Sequence, residues 1–283
     1  LYDAFTIESE GDFTSQILGE YAALHLTSAP RVTAVATHQE AEMKMRSKHF
    51  DLIVIMVGMD KDKPIGISKK IKEKFSYIPI YLLLNNNSDI SLFEKVKETD
   101  KNIDNIFVWN GDSRIFFTMI KLLEDRINLD NDTKIGHARI ILLVEDSARY
   151  YSRYLPLLYK GVVKQTQRII EDVTAKDELY KVLSLRVRPK ILLVSNLEEA
   201  KEIYDTYKNY FLSLITDVEF LFKGELNPEA GFILAKYIKD SNLTKDIPVI
   251  IQSSESSNEK KAYDLNCSFI HKNSDTLAMD IVN

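Results

Sequence analysis

The chain has 283 residues, 45% hydrophobic and 28% charged, which is enough apolar material for two ordinary domains and excludes a disordered chain. Its longest apolar run, Leu52 to Met59, falls well short of the ~18 residues of a membrane-crossing helix. The 37 Lys and Arg against 42 Asp and Glu (net charge −5) remove the basic excess that non-specific nucleic-acid binding needs. One cysteine, Cys267, excludes an internal disulfide and a multi-cysteine zinc site, and a reducing cytoplasm is the expected compartment. The nine glycines form neither GxxxxGK[ST] nor GxGxxG, and the five histidines show no HExxH spacing.

Along the chain, one plan is met twice. The first copy reads RVTAVAT (Arg31–Thr37) as a strand, HQEAEMKMRSKHF as a helix, FDLIVIMVGM (Phe50–Met59) as a strand, Gly66 opening ISKKIKEKF, then YIPIYLLLNN (Tyr77–Asn86) and NIFVWNGDS (Asn105–Ser113). The polar stretch Asn128–His137 separates it from the second copy. There the strands are ARIILLVE, KILLVS, FLSLITD, IPVIIQS and CSFIHK, with NLEEAKEIYDTYKNYF and Gly231-FILAKYIKD as helices between them. Short wholly apolar runs alternating with helical patterns predict βα units on a parallel sheet covered on both faces. The first copy supplies only four strands, and its opening strand is expected before Leu1. Between the first two strands of the second copy, Tyr150, Tyr154, Leu158, Val162, Thr166, Ile169 and Val173 recur at helical spacing. They predict one long amphipathic helix, bent at Pro156, followed by a second helical pattern, KDELYKVLSLR. Its apolar stripe serves as added core or as a partner-docking face.

Ligands of open parallel sheets bind beyond the carboxyl ends of the strands. In the second copy those ends carry Glu145 and Asp146, Asp217 with Glu219 two residues on, Ser253 and Ser254, and Lys272. Carboxylates, a hydroxyl and an ammonium in one place suit a divalent-metal site for phosphoryl transfer, since Mg²⁺ takes one or two protein carboxylates, waters and phosphate oxygens. Asp146 and Asp217 are candidate direct ligands, the backbone carbonyl near Glu219 a third, and Glu145 a holder of bound water. One carboxylate could attack phosphorus to give an acyl phosphate, with Lys272 offsetting phosphoryl charge and Ser253 donating a hydrogen bond to the product. Each motif has a plainer reading beside this one. Glu145-Asp146 could cap a helix, Asp217, Glu219 and Lys272 could be solvated surface charges, and Ser253 an ordinary turn serine.

The set ILLVEDS, LITDVEF, IIQSS and FIHKNS, in that order at strand ends, resembles the receiver domains of two-component response regulators over about residues 138–283. The resemblance implies a flavodoxin-like, doubly wound fold with five parallel strands in the order 2-1-3-4-5. It implies Asp217 as phosphoacceptor, Mg²⁺ held by Glu145, Asp146, Asp217 and the Glu219 carbonyl, and Ser253 and Lys272 as conserved-type partners. Phe269 falls at the position of the rotating aromatic switch. The chain departs from the pattern at Asn273, where proline usually follows the lysine, in the long acidic loop FLFKGELNPEAG after Asp217, and in the extended first helix. A finer likeness (VEDSxRYYSRYLPLLY, QTQ, RPKILL, SSES) is to receivers ahead of a phosphoenolpyruvate synthase-like, pyruvate- and phosphoenolpyruvate-binding module, and a chain stopping at Asn283 inside the last helix fits it.

The first copy resembles a degenerate receiver. Met56, Leu84 and Trp109 stand where Asp217, Ser253 and Lys272 stand, and Asp60 and Asp62 miss the acceptor position. The expected organisation is a pseudo-receiver over 1–130, serving as docking or dimerisation scaffold, and a receiver over 137–283. Neither is expected to be an enzyme. Expected partners are a histidine kinase or small phosphodonor, a downstream output domain or protein, and a second copy of the chain, with neither DNA nor membrane engaged. The rival readings are an unphosphorylated protein-binding platform and a metal-dependent phosphatase using Asp217 as nucleophile.

Overall fold

The computed structural model describes residues 15, 17–22, 30–172 and 187–274. The helical pattern KDELYKVLSLR, the end of the long-helix stripe at Val173 and the segment from Asp275 lie outside the described residues. The chain groups into two compact units, Leu1–Ile120 and Lys121–Asn283. No described helix is long and apolar enough to cross a membrane.

The second unit carries β4 of the whole-chain count (Ile140–Val144), β5 (Lys190–Val194), β6 (Phe211–Asp217), β9 (Val249–Ser253) and β10 (Ser268–His271). They form one five-stranded, all-parallel sheet in the spatial order β5-β4-β6-β9-β10, which is 2-1-3-4-5 within the unit. The central strand reads IILLV and is buried along its whole length, as a strand covered on both faces must be. Ile140, Leu142 and Val144 enter the main core with Leu197, Ala200, Leu234, Ile238 and Ile251. Ile141 and Leu143, equally buried, point to the opposite face. Each such side chain contributes roughly 1.5–3 kcal/mol of burial free energy, and together they fix the strand's place at the centre.

The long helix α6 (Ala148–Asp172) follows β4 and runs unbroken through Pro156. Its buried face is Tyr151, Tyr154, Leu155, Leu158, Tyr159 and Val163, so the true stripe is rotated from the expected one: Tyr150 and Val162 are only half-buried. Helix α7 (Leu197–Tyr207) starts where the Asn196 side chain accepts the Glu199 N–H at 2.8 Å. Helix α8 (Ala230–Lys239) and α9 (Asn258–Asp264) complete the described helices after β6 and β9.

Two expectations about this unit change. The loop after Asp217 is a β-hairpin, β7 (Phe220–Phe222) pairing antiparallel with β8 (Glu225–Asn227). Lys223 and Gly224 turn it, both at positive φ, as a two-residue hairpin turn demands. The division between the units also falls earlier than the 130–137 boundary, inside α4 (Arg114–Ile127). The physical reason is Asp125, buried among second-unit groups. It accepts from both Arg188 guanidinium nitrogens (2.7 and 3.0 Å), the Tyr159 hydroxyl (3.0 Å) and the Ile191 N–H (3.0 Å). Asn128–His137 is no linker: Leu129–Lys134 is the short helix α5, with Leu129 and Thr133 buried and Asp132 paired to Lys190 at 2.7 Å.

The first unit contains β1 (Ile53–Val57), β2 (Ile80–Leu84) and β3 (Asn105–Val108), parallel and in that order, with α1 (His38–Ser47), α2 (Asp62–Lys74) and α3 (Ile90–Thr99) between them. The strand expected at Arg31–Thr37 does not form. That segment is exposed, irregular chain, and β1 has no strand on its other side among the described residues. A strand forms where its N–H and C=O groups find a paired neighbour, and Arg31–Thr37 pairs with no strand among the described residues.

Backbone register equates the two units position by position. The Trp109 N–H donates to the Leu84 carbonyl at 2.8 Å as the Lys272 N–H does to the Ser253 carbonyl at 2.9 Å. Met56 pairs with Leu83 as Asp217 pairs with Gln252. The counterparts of Asp217, Ser253 and Lys272 are therefore Met56, Leu84 and Trp109, as the sequence comparison gave them.

Candidate metal and phosphoryl-transfer site

Three carboxylates and one ammonium meet at the C-terminal edge of the five-stranded sheet. Glu145 and Asp146 leave β4, Asp217 ends the neighbouring β6, and Lys272 follows β10. Possible ligand oxygens of Glu145, Asp146 and Asp217 lie within 4.8 Å of one another, and this cluster could hold a metal ion. Opposite ligands of a single ion are ~4.2 Å apart when each metal–oxygen distance is ~2.1 Å, so the span suits some direct and some water-mediated ligation. The all-oxygen donor set favours a hard divalent cation over a soft one.

Lys272 Nζ lies 2.6 Å from Asp217 Oδ2 and 2.6 Å from Glu145 Oε2, and 4.2 Å from the centroid of the Tyr150 ring. The lysine side chain is 4% exposed, Glu145 fully buried, and Asp217 15% exposed. Asp217 thus keeps some access from outside while Glu145 has none. The second Asp217 oxygen, Oδ1, accepts the Val218 N–H at 2.7 Å, which orients the carboxylate.

Burial pushes the Glu145 carboxyl up to about 8; Asp217 and Asp146 reinforce this, and Lys272 opposes it. Burial would lower the Lys272 ammonium, but Glu145 and Asp217 outweigh it and the net shift is upward. Tyr154, behind Tyr150 on α6, is also raised, by burial and then by the charge of Glu145. Three acidic groups share one ammonium, and a bound cation would supply positive charge that the cluster lacks.

Gly231, in the first turn of α8, packs against the Asp217 backbone. Its N–H donates to the Val218 carbonyl at 2.9 Å, and a Cβ there would overlap the Asp217 carbonyl oxygen. Only glycine permits that approach.

The structure therefore brings Glu145, Asp146, Asp217 and Lys272 together. Ser253 is buried at the end of β9, and its Oγ accepts from the Glu255 N–H and the Asn258 side-chain amide, both at 3.0 Å. Its own hydroxyl proton is left to donate elsewhere. Ser254 is exposed, which separates the two serines as candidates. The Glu219 side chain is exposed just before the hairpin. Phe269 is half-buried on β10 against the core. No cis peptide occurs among the described residues, including at Lys272–Asn273. Sequence reasoning missed Tyr150 as a site residue. It was read only as part of a helix stripe, although its place five residues after Glu145, in the first turn beyond the strand end, marked it as near the pocket.

In the first unit the corresponding edge has other contacts. Lys61 Nζ donates to the Gly58 carbonyl at 2.8 Å and to Asp89 at 2.6 Å. Asp60 accepts the N–H groups of Asp62 and Lys63, a helix-capping role at the start of α2. Comparison with known protein families and with curated proteins finds no match to this chain.

Proposed function

We propose that the second unit is a flavodoxin-like receiver domain that accepts a phosphoryl group on Asp217 in two-component signalling, with Mg²⁺ as cofactor. The observation that carries the reading is the Lys272 ammonium bridging Asp217 and Glu145 at 2.6 Å each, beside Asp146, at the strand ends of a 2-1-3-4-5 parallel sheet. Asp146, Asp217 and the Glu219 backbone carbonyl would hold the ion, with Glu145 on a bound water. The ion would supply charge neutralisation at the phosphoryl oxygens.

The residues of the chain do the rest. An Asp217 carboxylate oxygen attacks phosphorus, the bond from phosphorus to the donor breaks (P–N in a phosphohistidine, P–O in an acyl phosphate), and the leaving group departs with that electron pair. The product is a mixed anhydride at Asp217. Lys272 can transfer one of its N–H donors from a carboxylate to a phosphoryl oxygen, and Ser253 can turn its free hydroxyl proton to another. Ser253 and Phe269 would then repack the face formed by α9 and β10. A 1:99 to 99:1 change of population needs about 5.5 kcal/mol of differential stabilisation. The first unit, with Met56, Leu84 and Trp109 at the equivalent positions, acts in this account as an unphosphorylated docking or dimerisation scaffold. The donor is a histidine kinase or a small acyl phosphate, and a downstream output domain or protein receives the signal.

A second reading, an unphosphorylated protein-binding platform, draws on the Ser253 hydroxyl already engaged by Glu255 and Asn258. Incubation with acetyl phosphate decides between them. The receiver reading expects an intact-mass gain of one phosphoryl group with Mg²⁺, lost with EDTA and in Asp217→Asn. An unchanged mass under all conditions supports the platform.

A further inference from the structure

We propose that Tyr150 is a positioning residue for Lys272, holding the ammonium at the Asp217 site through the face of its aromatic ring. The inference rests on the receiver reading for its consequence, though not for its geometry.

A lysine ammonium is a point charge on a flexible four-carbon stem, and it has three donors to place. Two of them meet Glu145 and Asp217. The ring of Tyr150 lies 4.2 Å from Nζ, inside the range where a cation is attracted to an aromatic quadrupole. The ring is itself held. It stacks on Tyr154 at 6.0 Å between centroids with planes 22° apart, and Tyr154 is fully buried on the inner face of α6. Arg149 also lies over Tyr150, but its guanidinium is 5.8 Å away on an exposed side chain.

The carboxylates that hold Lys272 are the same groups that would hold a cation. A divalent ion drawn to Glu145, Asp146 and Asp217 both competes for those oxygens and repels the ammonium. The π-face of Tyr150 is not a metal ligand, so its attraction for Lys272 survives the ion's arrival. Lys272 then remains beside Asp217, ready to meet phosphoryl oxygens, when its other contacts are weakest. The ring face does this, not the hydroxyl.

Two variants separate the parts: Tyr150→Phe keeps the face and Tyr150→Leu removes it. In the metal-free protein, the Lys272 ε-methylene protons should be shifted upfield by the ring in wild type and Tyr150→Phe. In Tyr150→Leu the shift should vanish, and Arg149→Gln should leave it unchanged. With Mg²⁺ present, beryllofluoride should bind Tyr150→Leu roughly 3- to 10-fold more weakly than wild type, with Mg²⁺ affinity unchanged and Tyr150→Phe like wild type. A shift that persists in Tyr150→Leu overturns the proposal, as does an equal loss of Mg²⁺ and beryllofluoride affinity, which marks a merely structural residue. If wild type binds no beryllofluoride, the receiver reading fails, and the methylene shift alone decides whether Tyr150 positions Lys272.

Discussion

Glu145 is the fully buried acid of the pocket. In the unfolded chain its carboxyl ionises near 4.5, whereas burial raises it to about 8 in the folded protein. The folded state therefore binds more protons than the unfolded one across that window, so stability of the metal-free protein falls as pH rises from 4.5 to about 8. Urea unfolding followed across this range should show that decline, and Glu145→Gln should flatten it; an unchanged slope in the variant would contradict the assignment. A cation must displace the same proton, so Mg²⁺ affinity should rise with pH over the same window. The residues of this cluster were legible because strand ends are easily located in sequence: Glu145, Asp146, Asp217 and Lys272 each terminate an apolar run. Tyr150 was not legible in that way. Its role comes from the turn of α6 that carries its ring over a lysine more than a hundred residues away in sequence. Nor could sequence show that the Ser253 oxygen is already occupied by its own loop.

At the scale of elements, two contacts fix how the strand ends meet. The first is the glycine contact between α8 and the end of β6. Gly231→Ala forces a Cβ into the Asp217 carbonyl, and one side must move. We expect a loss of roughly 1–3 kcal/mol and a weaker Mg²⁺ titration, because the displaced backbone carries the Asp217 carboxylate with it. Wild-type Mg²⁺ affinity in that variant would show that the close approach does not set the site. The second is the buried Asp125–Arg188 pair at the other end of the sheet. Asp125→Ala would leave the Arg188 guanidinium buried without its carboxylate, at a cost of about 3–5 kcal/mol. Urea unfolding measures this directly, and a change below about 1 kcal/mol would deny the pair its role. The five second-unit strands and the long helix were readable because continuous apolar runs and a helical stripe have few other solutions. The hairpin at Phe220–Asn227 was read as a loop, because its strands are three residues each, the second is Glu-Leu-Asn, and Lys-Gly is a weaker turn signal than Asn-Gly or Asp-Gly. RVTAVAT was read as a strand because its composition suits one. Composition reports an apolar, β-branched run, not the pairing that its hydrogen bonds need, and among the described residues that pairing is absent.

Across the whole molecule, two copies of a βα plan share a backbone register while their chemistry diverges. The correspondence Met56–Asp217, Leu84–Ser253 and Trp109–Lys272, drawn first from sequence order, is matched by inter-strand pairing in each unit separately. This puts the acidic pocket in the second unit and a lysine–aspartate pair at the equivalent edge of the first. Binding of a cation to the folded state alone should stabilise the protein by about 2.7 kcal/mol at a hundredfold excess over Kd. Thermal scans with Mg²⁺ against EDTA should therefore differ by several degrees, and the difference should disappear when Asp146 and Asp217 are both replaced by Ala. Superimposable wild-type curves would deny the cluster a cation. The most direct test of the central claim is chemical. Borohydride reduces an aspartyl phosphate to homoserine, and peptide mass spectrometry locates it. After acetyl phosphate and Mg²⁺, homoserine should appear at position 217 and nowhere in the first unit; an unmodified Asp217, or homoserine at another aspartate, would contradict the account.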